Sequence, residues 1–262
     1  FPLHLLDQMA SLGLFGVCIE GYGCRRTSMT AYGLACQELG RCDSGLRALF
    51  SVQNSLVMQP MHAFGSEEQR STWLPKLRSG SVIGCFGLSE PDFGSDPGGM
   101  STRATLHGDC YRINGAKMWI TNGSIAHLAV IWARTAEGIR GFLVETSTPG
   151  FRVTTLRHKF AYRTSPTSLI ELKDCEVEAK SMLPGAFGLK PVFACLNDAR
   201  YGVGCSALGS AVACYEEAKA FAAHREVFGK PIAGYQLVQE RLVNMLVEIT
   251  KTQALSYQVG RL

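Results

Sequence analysis

Apolar residues recur with different spacings in three successive parts of the chain. From Phe1 to Gly80, and again after Pro184-Gly185, they recur about every 3.6 residues, as on one face of a helix. Between Ser81 and about Glu178, short apolar runs alternate with turn residues instead, as in a sheet of short strands. This order predicts an α+β protein in which a β module stands between two helical parts.

Two helices of the first part are indicated by their starting signals. Asp43 and Ser44 are candidate N-caps, because a short polar side chain there accepts a hydrogen bond from the first N–H groups of a helix. Ser66 and Gln69 form a capping-box pattern, and the helix that they begin is predicted to reach about Leu77. After the first cap, apolar residues follow with the helical period at Leu46, Leu49, Phe50, Val52, Leu56 and Val57.

The pattern of the middle part predicts short strands joined by tight turns. Asn114-Gly115 follows an apolar run and favours a hairpin turn at this point, because both residues adopt positive φ readily. Further strands are predicted at 127–134, 140–145, 151–156 and 168–172. Strands of this length, separated by turns, are typical of a small barrel or a sandwich.

The last part is predicted to contain two long helices. Residues 197–223 form an Ala/Gly-rich run, whose small side chains would let neighbouring helices approach closely. Residues 235–262 carry a continuous apolar face, which needs partner helices to cover it. We therefore expect further helical sequence beyond Leu262.

Composition and charge narrow the possible functions. Hydrophobic residues make up 46% and charged residues 18% of the 262, which is typical of a globular protein and not of a disordered one. The net charge is +4, but the basic residues are dispersed, so neither nucleic acid nor an anionic membrane surface is an expected partner. No uncharged run is apolar enough to predict a membrane span, and the first residues do not resemble a signal peptide.

Several widespread motifs are missing from the sequence. It contains no HExxH, GxSxG or P-loop motif, and its six histidines lack metal-ligand spacing, so no metal site is predicted. GxGxxG and alternating βαβ units are also missing, which disfavours a Rossmann dinucleotide site. The ten cysteines include no CxxC pair and are predicted to be reduced, mostly buried thiols.

Two segments carry residues suited to a flat, polar ligand. The loop from Phe86 to Asp96 is rich in glycine and hydroxyl residues and offers backbone N–H groups to an anionic or polar group. In the segment Lys117–Gly123, Trp119 can cover a flat ring while Thr121 hydrogen-bonds its edge. Taken singly, each segment is explained better as an ordinary loop or as a core tryptophan before a turn.

In this order and spacing, the two segments resemble the acyl-CoA dehydrogenase family of flavoproteins. The resemblance extends from about Met9 to Leu262. It also rests on Asn114-Gly115-x-Lys117, Arg140-Gly141-Phe142, Lys159 to Thr167, Asn197-Asp198-Ala199-Arg200-Tyr201-Gly202 and Arg225-x-x-Phe228-Gly229. The implied fold has an N-terminal helical domain (1–80), a middle β-barrel domain (81–183) and a C-terminal helical bundle (184–262), with both terminal domains incomplete.

The resemblance implies FAD as the cofactor and an acyl-CoA as the substrate. In the family, FAD accepts a hydride from the β-carbon while a carboxylate removes the α-proton, and the protein orients the flavin and tunes its electronics. Phe86, Leu88 and Ser89 are expected along the flavin edge. Trp119 is expected to cover the ring, and Thr121 to hydrogen-bond near the hydride-accepting nitrogen.

Further contacts and partners follow from the same resemblance. Ser95 is expected at the thioester arm of CoA, and Arg200 beside the thioester site. Arg225, Phe228 and Gln236 match the motif that holds the FAD diphosphate and adenosine of a neighbouring subunit, a role that suits the planar donors of an arginine. The family also implies a homotetramer and electron-transferring flavoprotein as the electron acceptor.

Arg47 and Ser51 indicate a substrate with a second carboxylate. They share one helix face, and an Arg in a segment otherwise short of charge costs desolvation unless an anion meets it. From the residues alone, a surface Arg paired with Asp43 is equally compatible. The segment from Asp43 to Met58 resembles the glutaryl-CoA dehydrogenase branch, in which an Arg and a Ser at these positions receive the distal carboxylate. The implied reaction converts glutaryl-CoA through glutaconyl-CoA to crotonyl-CoA and CO2, in lysine and tryptophan degradation.

The sequence also departs from the family pattern. The catalytic Glu is expected beyond Leu262. A few other members carry the base just before the Arg that matches Arg200, but that position is Ala199 here, and Asp198 lies out of register. Gly40 stands where an acidic residue is expected to orient the substrate-binding Arg. Two alternatives stay open: an acyl-CoA dehydrogenase of another acyl specificity, and a truncated, non-catalytic member that acts as an interaction module. The expected location is the mitochondrial matrix or, alternatively, the bacterial cytoplasm.

Overall fold

The computed structural model describes all 262 residues, which form two compact units. The first unit comprises residues 1–27 and 48–199, and the second comprises residues 28–47 and 200–262. The helices are α1 (Leu6–Ser11), α2 (Met29–Cys42), α3 (Ser44–Ser51), α4 (Gln59–Phe64), α5 (Glu67–Arg78), α6 (Lys190–His224) and α7 (Gln236–Arg261). None of them combines the length and the apolar character that crossing a membrane requires.

The strands confirm the predicted α+β class. They are β1 (Gly84–Gly87), β2 (Arg103–His107), β3 (Cys110–Thr121), β4 (Leu128–Thr135), β5 (Gly138–Glu145), β6 (Phe151–Thr155), β7 (Thr167–Glu178), β8 (Met182–Phe187), β9 (Glu226–Val227) and β10 (Lys230–Pro231). Strands β1–β8 form one sheet in the order β6-β7-β3-β2-β4-β5-β8, and β1 pairs with β4 in parallel. Buried apolar side chains from these strands, with Phe142 and Ile170 fully enclosed, form the core of the first unit.

Both predicted helix starts are confirmed. The Asp43 Oδ1 atom accepts hydrogen bonds from the backbone N–H groups of Gly45 (2.7 Å) and Leu46 (3.1 Å). The Ser66 hydroxyl accepts one from the Gln69 N–H group at 3.2 Å, and the Gln69 side chain accepts one from the Ser66 N–H group at 2.9 Å. Each cap satisfies N–H groups that the start of a helix otherwise leaves unpaired.

Replacing Ser66 with Ala is expected to lower the free energy of unfolding by about 1 kcal/mol. The substitution removes the acceptor for the Gln69 N–H group at the start of α5. Urea unfolding measures the difference, with Ser71→Ala as the control, because the Ser71 hydroxyl bonds carbonyl groups within its own helix. An unfolding midpoint equal to that of the control would contradict the capping role.

The hairpin turn predicted at Asn114-Gly115 is wrong. Strand β3 runs through both residues, and the turn between β2 and β3 lies at Gly108 and Asp109 instead. Gly115 has a φ of 149° and marks a register shift between β3 and β7. A Cβ there would lie 2.6 Å from the Thr102 Cα atom, so the glycine serves a bulge and a close backbone approach.

Helix α3 continues into a π-helical segment, Val52–Met58, which leads into α4. Its buried Asn54 amide makes four hydrogen bonds to backbone groups of residues 14–17 and Phe50. The buried Gln53 amide makes three more, to Leu77 at the end of α5, to Val82 between α5 and β1, and to Gly84 at the start of β1. These bonds hold the π-helical segment, whose turns are wider than those of an α-helix, in place within the first unit.

In the second unit, α2 crosses the part of α6 after residue 200 at glycine positions. A Cβ at Gly40 would lie 2.7 Å from the Ser206 carbonyl oxygen, and one at Gly209 would overlap the carbonyl oxygen of Gln37. The Ser210 hydroxyl donates a hydrogen bond to the Gly40 carbonyl at 3.1 Å. Small residues therefore let the helices approach as predicted, and no acidic side chain fits at position 40.

Candidate functional site

A pocket of about 190 Å³ lies in the first unit, where the ends of β1 and β3 meet the π-helical segment. All five residues that were predicted to surround a flavin ring line it: Phe86, Leu88, Ser89, Trp119 and Thr121. They come from two separate segments, the end of β1 with its following loop and the end of β3. The folding of the sheet therefore brings together the two motifs that the sequence places about thirty residues apart.

Trp119 has an unusual backbone conformation. Its φ of 64° lies in the left-handed region, which a bulky residue rarely adopts. The register between β3 and β7 shifts between Lys117 and Ile120, so the strand bulges at Trp119. The Trp119 side chain is 62% exposed, although aromatic rings of this size are usually highly buried. A strained and exposed aromatic residue in a pocket is typical of a ligand contact.

Lys117 and Glu90 form a completely buried ion pair next to the pocket residues. The Lys117 Nζ and Glu90 Oε1 atoms are 2.8 Å apart, and the two side chains are 0% and 1% exposed. Lys117 also donates to the Leu88 carbonyl, and Glu90 accepts further hydrogen bonds from Ser101 and Thr102. Burial acts to raise the pKa of Glu90, but the hydrogen bonds that it accepts outweigh burial and lower the pKa to about 2. Burial lowers the pKa of Lys117, and Glu90 opposes this effect.

The Glu90 carboxylate is expected to make folding stability depend on acid pH. Its pKa in the folded protein, about 2, lies below the ordinary value of 4.5, so its contribution is complete above the ordinary pKa and is lost as the pH falls toward 2. Wild-type protein should therefore lose more unfolding free energy between about pH 6 and about pH 3 than Lys117→Met/Glu90→Gln, which leaves neither a titrating carboxylate nor an unpaired cation at this position.

Urea unfolding at the two pH values measures this difference. Glu176→Gln is a matched control, because the Glu176 carboxylate also pairs with a cation of β3 but is 56% exposed. Exposed pairs contribute little, so the control should follow wild type. The same pH dependence in wild type and Lys117→Met/Glu90→Gln would argue against the contribution of the buried carboxylate.

Sequence reasoning missed the other residues that line the pocket. These are Val52, Leu56, Met118, Ile120 and Leu196. The first two reach it from the π-helical segment, whose wider turn shifts side chains relative to an α-helix. The run Gln53-Asn54-Ser55, polar within an otherwise apolar stretch, is the sequence signal that marks this segment.

Arg47 and Ser51 lie one turn apart on α3, and their side chains are only 5% and 3% exposed. The interpretation of Arg47 as a surface residue is therefore wrong. Asp43, its suggested surface partner, caps the same helix. The charge of Arg47 acts on its surroundings in the second unit. Burial raises the pKa of the Cys36 thiol to about 12, and the positive charge of Arg47 is one of the effects that oppose this rise. A buried guanidinium, on a helix with no other charged residue, is suited to meet an anion.

Two further predicted substrate contacts are exposed. Ser95 lies in the loop between β1 and β2, and Arg200 lies on α6. Asp198 is partly buried, and burial raises its pKa while Arg26 opposes the shift. Leu196 lines the pocket, but Asp198 does not, which agrees with leaving Asp198 out of the catalytic assignment.

Arg225, Phe228 and Gln236 form a group of their own in the second unit. Arg225 directly precedes β9, Phe228 lies in the turn before β10, and Gln236 begins α7. The Arg225 carbonyl accepts a hydrogen bond from the Ile232 N–H group at 2.8 Å, which closes the hairpin. Phe228 has a φ of 51° and is 94% exposed. The hairpin thus presents an aromatic ring to solvent beside an exposed cation.

Three domain models of one protein family match the chain in succession. Residues 1–81 match the N-terminal domain of acyl-CoA dehydrogenase. Residues 85–175 match its middle domain, and residues 187–262 match its C-terminal domain. The pocket residues at Phe86, Ser89 and Trp119 fall within the match to the middle domain.

Known proteins are similar to the chain over nearly its whole length. The glutaryl-CoA dehydrogenase of Mycobacterium smegmatis, solved in complex with FADH2, is 48% identical with a TM-score of 0.97, over 100% of this chain and 68% of that one. The human mitochondrial short-chain specific acyl-CoA dehydrogenase is 35% identical over 100% of this chain and 65% of its own length. A structure described as the electron transferring flavoprotein of Acidaminococcus fermentans is 34% identical with a TM-score of 0.94, over 98% of this chain and 70% of that one. The chain therefore spans about two thirds of the length of these proteins.

Proposed function

Because the chain belongs to the acyl-CoA dehydrogenase family, we propose that its protein oxidises glutaryl-CoA and decarboxylates the product to crotonyl-CoA and CO2. The observation that carries the choice of substrate is Arg47, whose buried guanidinium lies one helical turn from the buried hydroxyl of Ser51. A guanidinium complements the distal carboxylate of a dicarboxylic acyl chain, whereas the methyl end of a monocarboxylic one does not. The 48% identity to a glutaryl-CoA dehydrogenase supports the same substrate.

FAD is the cofactor that the family neighbours indicate, and the pocket residues fit a flavin. Trp119 presents an exposed ring that suits a flat partner, and Phe86 and Leu88 supply an apolar edge. The hydroxyl groups of Ser89 and Thr121 suit the polar edge of the same partner. When bound, FAD supplies the two-electron oxidation of the acyl chain.

The chain itself contributes orientation and charge. Ser89 and Thr121 would fix the direction of the ring by hydrogen bonds at its edge, while Arg47 and Ser51 would fix the far end of the acyl chain. Loss of CO2 leaves an electron pair delocalised toward the thioester, and uptake of one proton at the γ-carbon, which balances the α-proton removed earlier, gives crotonyl-CoA. A fixed guanidinium would orient the departing carboxylate without itself exchanging a proton. We propose that the carboxylate that removes the α-proton belongs to the part of the relatives' length that this chain does not span.

We further propose a homotetramer that passes electrons to an electron-transferring flavoprotein. The exposed Phe228 and Arg225 support a contact with the FAD diphosphate of a neighbouring subunit. The similarity to a structure described as an electron transferring flavoprotein supports the acceptor. The mitochondrial matrix is the proposed location, with the bacterial cytoplasm as the alternative.

A second candidate is a short-chain acyl-CoA dehydrogenase. Its support is the 35% identity over the whole chain to the human short-chain specific enzyme. In that case the far end of the acyl chain would be apolar, and Arg47 would contribute to the stability of the fold and not to substrate binding. Ser95 and Arg200 keep their proposed places at the thioester in both candidates, because both substrates share the CoA thioester.

Steady-state kinetics of the full-length protein on glutaryl-CoA and butyryl-CoA distinguish the two candidates. We expect kcat/KM to be higher for glutaryl-CoA by about tenfold or more, with one CO2 released for each acceptor molecule reduced by two electrons. Equal or better activity on butyryl-CoA would favour the short-chain candidate. Oxidation of glutaryl-CoA without CO2 release would exclude the decarboxylating step, and no turnover of either substrate would favour a non-catalytic interaction module.

A further inference from the structure

Two of the chain segments that line the candidate flavin pocket, the loop after β1 and the end of β3, are hydrogen-bonded to each other. The Met118 N–H group donates to the Ser89 carbonyl at 2.8 Å. The Lys117 ammonium group donates to the Leu88 carbonyl at 3.1 Å and to the Glu90 carboxylate at 2.8 Å. The ion pair therefore joins the loop after β1, which carries Ser89, to the start of the bulge in β3.

The ion pair is better explained by positioning than by stability. A buried ion pair often contributes no more to stability than well-packed apolar side chains, because both charges lose their hydration. Here Trp119 lies two residues after Lys117, and its strained backbone persists only where the surrounding structure holds it in place. A Cβ at Gly87 would lie 3.2 Å from the Lys117 Cγ atom, so β1 approaches the stem of this side chain closely.

We propose that Lys117 and Glu90 are positioning residues that hold the β3 bulge so that Trp119 covers the flavin. This inference rests on the proposed flavin site and adds two residues to it that act through the backbone. Without the pair, the bulge loses its anchor to the loop after β1, and Trp119 relaxes away from the ring position. Flavin affinity then falls, and the environment of the bound flavin changes, in protein that is still folded.

The deciding variant removes both charges together. Lys117→Met alone leaves the buried Glu90 carboxylate without its cation and is expected to destabilise the fold. The double variant Lys117→Met/Glu90→Gln removes both charges and keeps one acceptor oxygen, which can take the place of the Glu90 Oε2 atom and accept from the N–H group and the hydroxyl of Ser101. The matched control, Arg112→Met/Glu176→Gln, removes another ion pair of β3, whose side chains are 42% and 56% exposed. Glu90→Asp keeps both charges but shortens the reach, and it takes the place of the double variant if that protein does not fold.

Three measurements on the full-length protein test the proposal: FAD titration of the apoprotein, visible circular dichroism of the bound flavin, and hydrogen exchange of the Met118 amide without flavin. In the double variant we expect about tenfold weaker FAD binding, an altered flavin signal and faster exchange at Met118, with the control unchanged. Glu90→Asp should lose affinity in the same direction.

Wild-type values of all three quantities in a folded double variant would overturn the positioning role. The proposed flavin site fails in a different way, because wild type and control would then bind no FAD at all. A lower melting temperature of the double variant, with unchanged affinity and flavin signal, would assign the pair to stability and also overturn the proposal.

Discussion

An Arg47→Gln variant of the full-length protein is expected to lose about 100-fold in kcat/KM for glutaryl-CoA and to stay within about threefold of wild type for butyryl-CoA. Arg47 is buried, and truncating one partner of a buried charge pair usually costs about 2–5 kcal/mol, which corresponds to this loss. Gln keeps a polar side chain of smaller volume but removes the charge. Steady-state kinetics on both substrates measure the effect.

Arg41→Gln is the matched control for this prediction. Arg41 belongs to α2, is 42% exposed and pairs with Glu216 at 2.7 Å, so its removal should leave both activities unchanged. An equal loss on glutaryl-CoA and butyryl-CoA in Arg47→Gln would mean that Arg47 supports the fold rather than the substrate. Unchanged activity on glutaryl-CoA would exclude Arg47 as the carboxylate-binding residue.

Gly209→Ala is expected to destabilise the protein by about 3 kcal/mol or more, the largest stability effect predicted for a single added methyl group. A Cβ at this buried position would overlap the Gln37 carbonyl oxygen and lie 2.9 Å from the Arg41 amide nitrogen, so backbone groups of α2 would have to move. Backbone yields less readily than the end of a side chain. Thermal and urea unfolding of the purified variant measure the loss.

The same helix supplies the control for this substitution. Gly204 is exposed and has no atom within 4 Å of an added Cβ, so Gly204→Ala should stabilise α6 by up to about 1 kcal/mol through helix propensity. Opposite signs at the two glycines would establish that α2 and α6 meet at Gly209. Similar small effects at both positions would be inconsistent with the close helix crossing.

Local signals predicted much of the fold, because caps and apolar periodicity depend on neighbouring residues. The Asp43 cap and the Ser66 capping box were both confirmed. Asn114-Gly115 misled the prediction, since positive φ serves a bulge as well as a turn, and only the pairing of β3 with β7 distinguishes them. The π-helical turns at Val52–Met58 also depend on bonds from Asn54 to distant backbone groups.

For the candidate site, the motifs identified the ring-facing residues but not the network behind them. Trp119 and Thr121 were predicted at the flavin because their segment, together with the loop at Phe86–Asp96, resembles the family motifs, and both line the pocket. The pairing of Lys117 with Glu90 joins residues 27 positions apart, and no local spacing indicates it. The burial of Arg47 was likewise undecided until the packing around α3 was known.

Anaerobic titration of the purified full-length protein with acyl-CoA tests the proposed oxidation and decarboxylation of glutaryl-CoA. We expect that the protein carries bound FAD, that glutaryl-CoA bleaches the visible flavin band in the absence of an acceptor, and that CO2 is released. Butyryl-CoA should bleach the band weakly and only at higher concentration. A protein without flavin, or one whose flavin is bleached by butyryl-CoA and not by glutaryl-CoA, would contradict the claim.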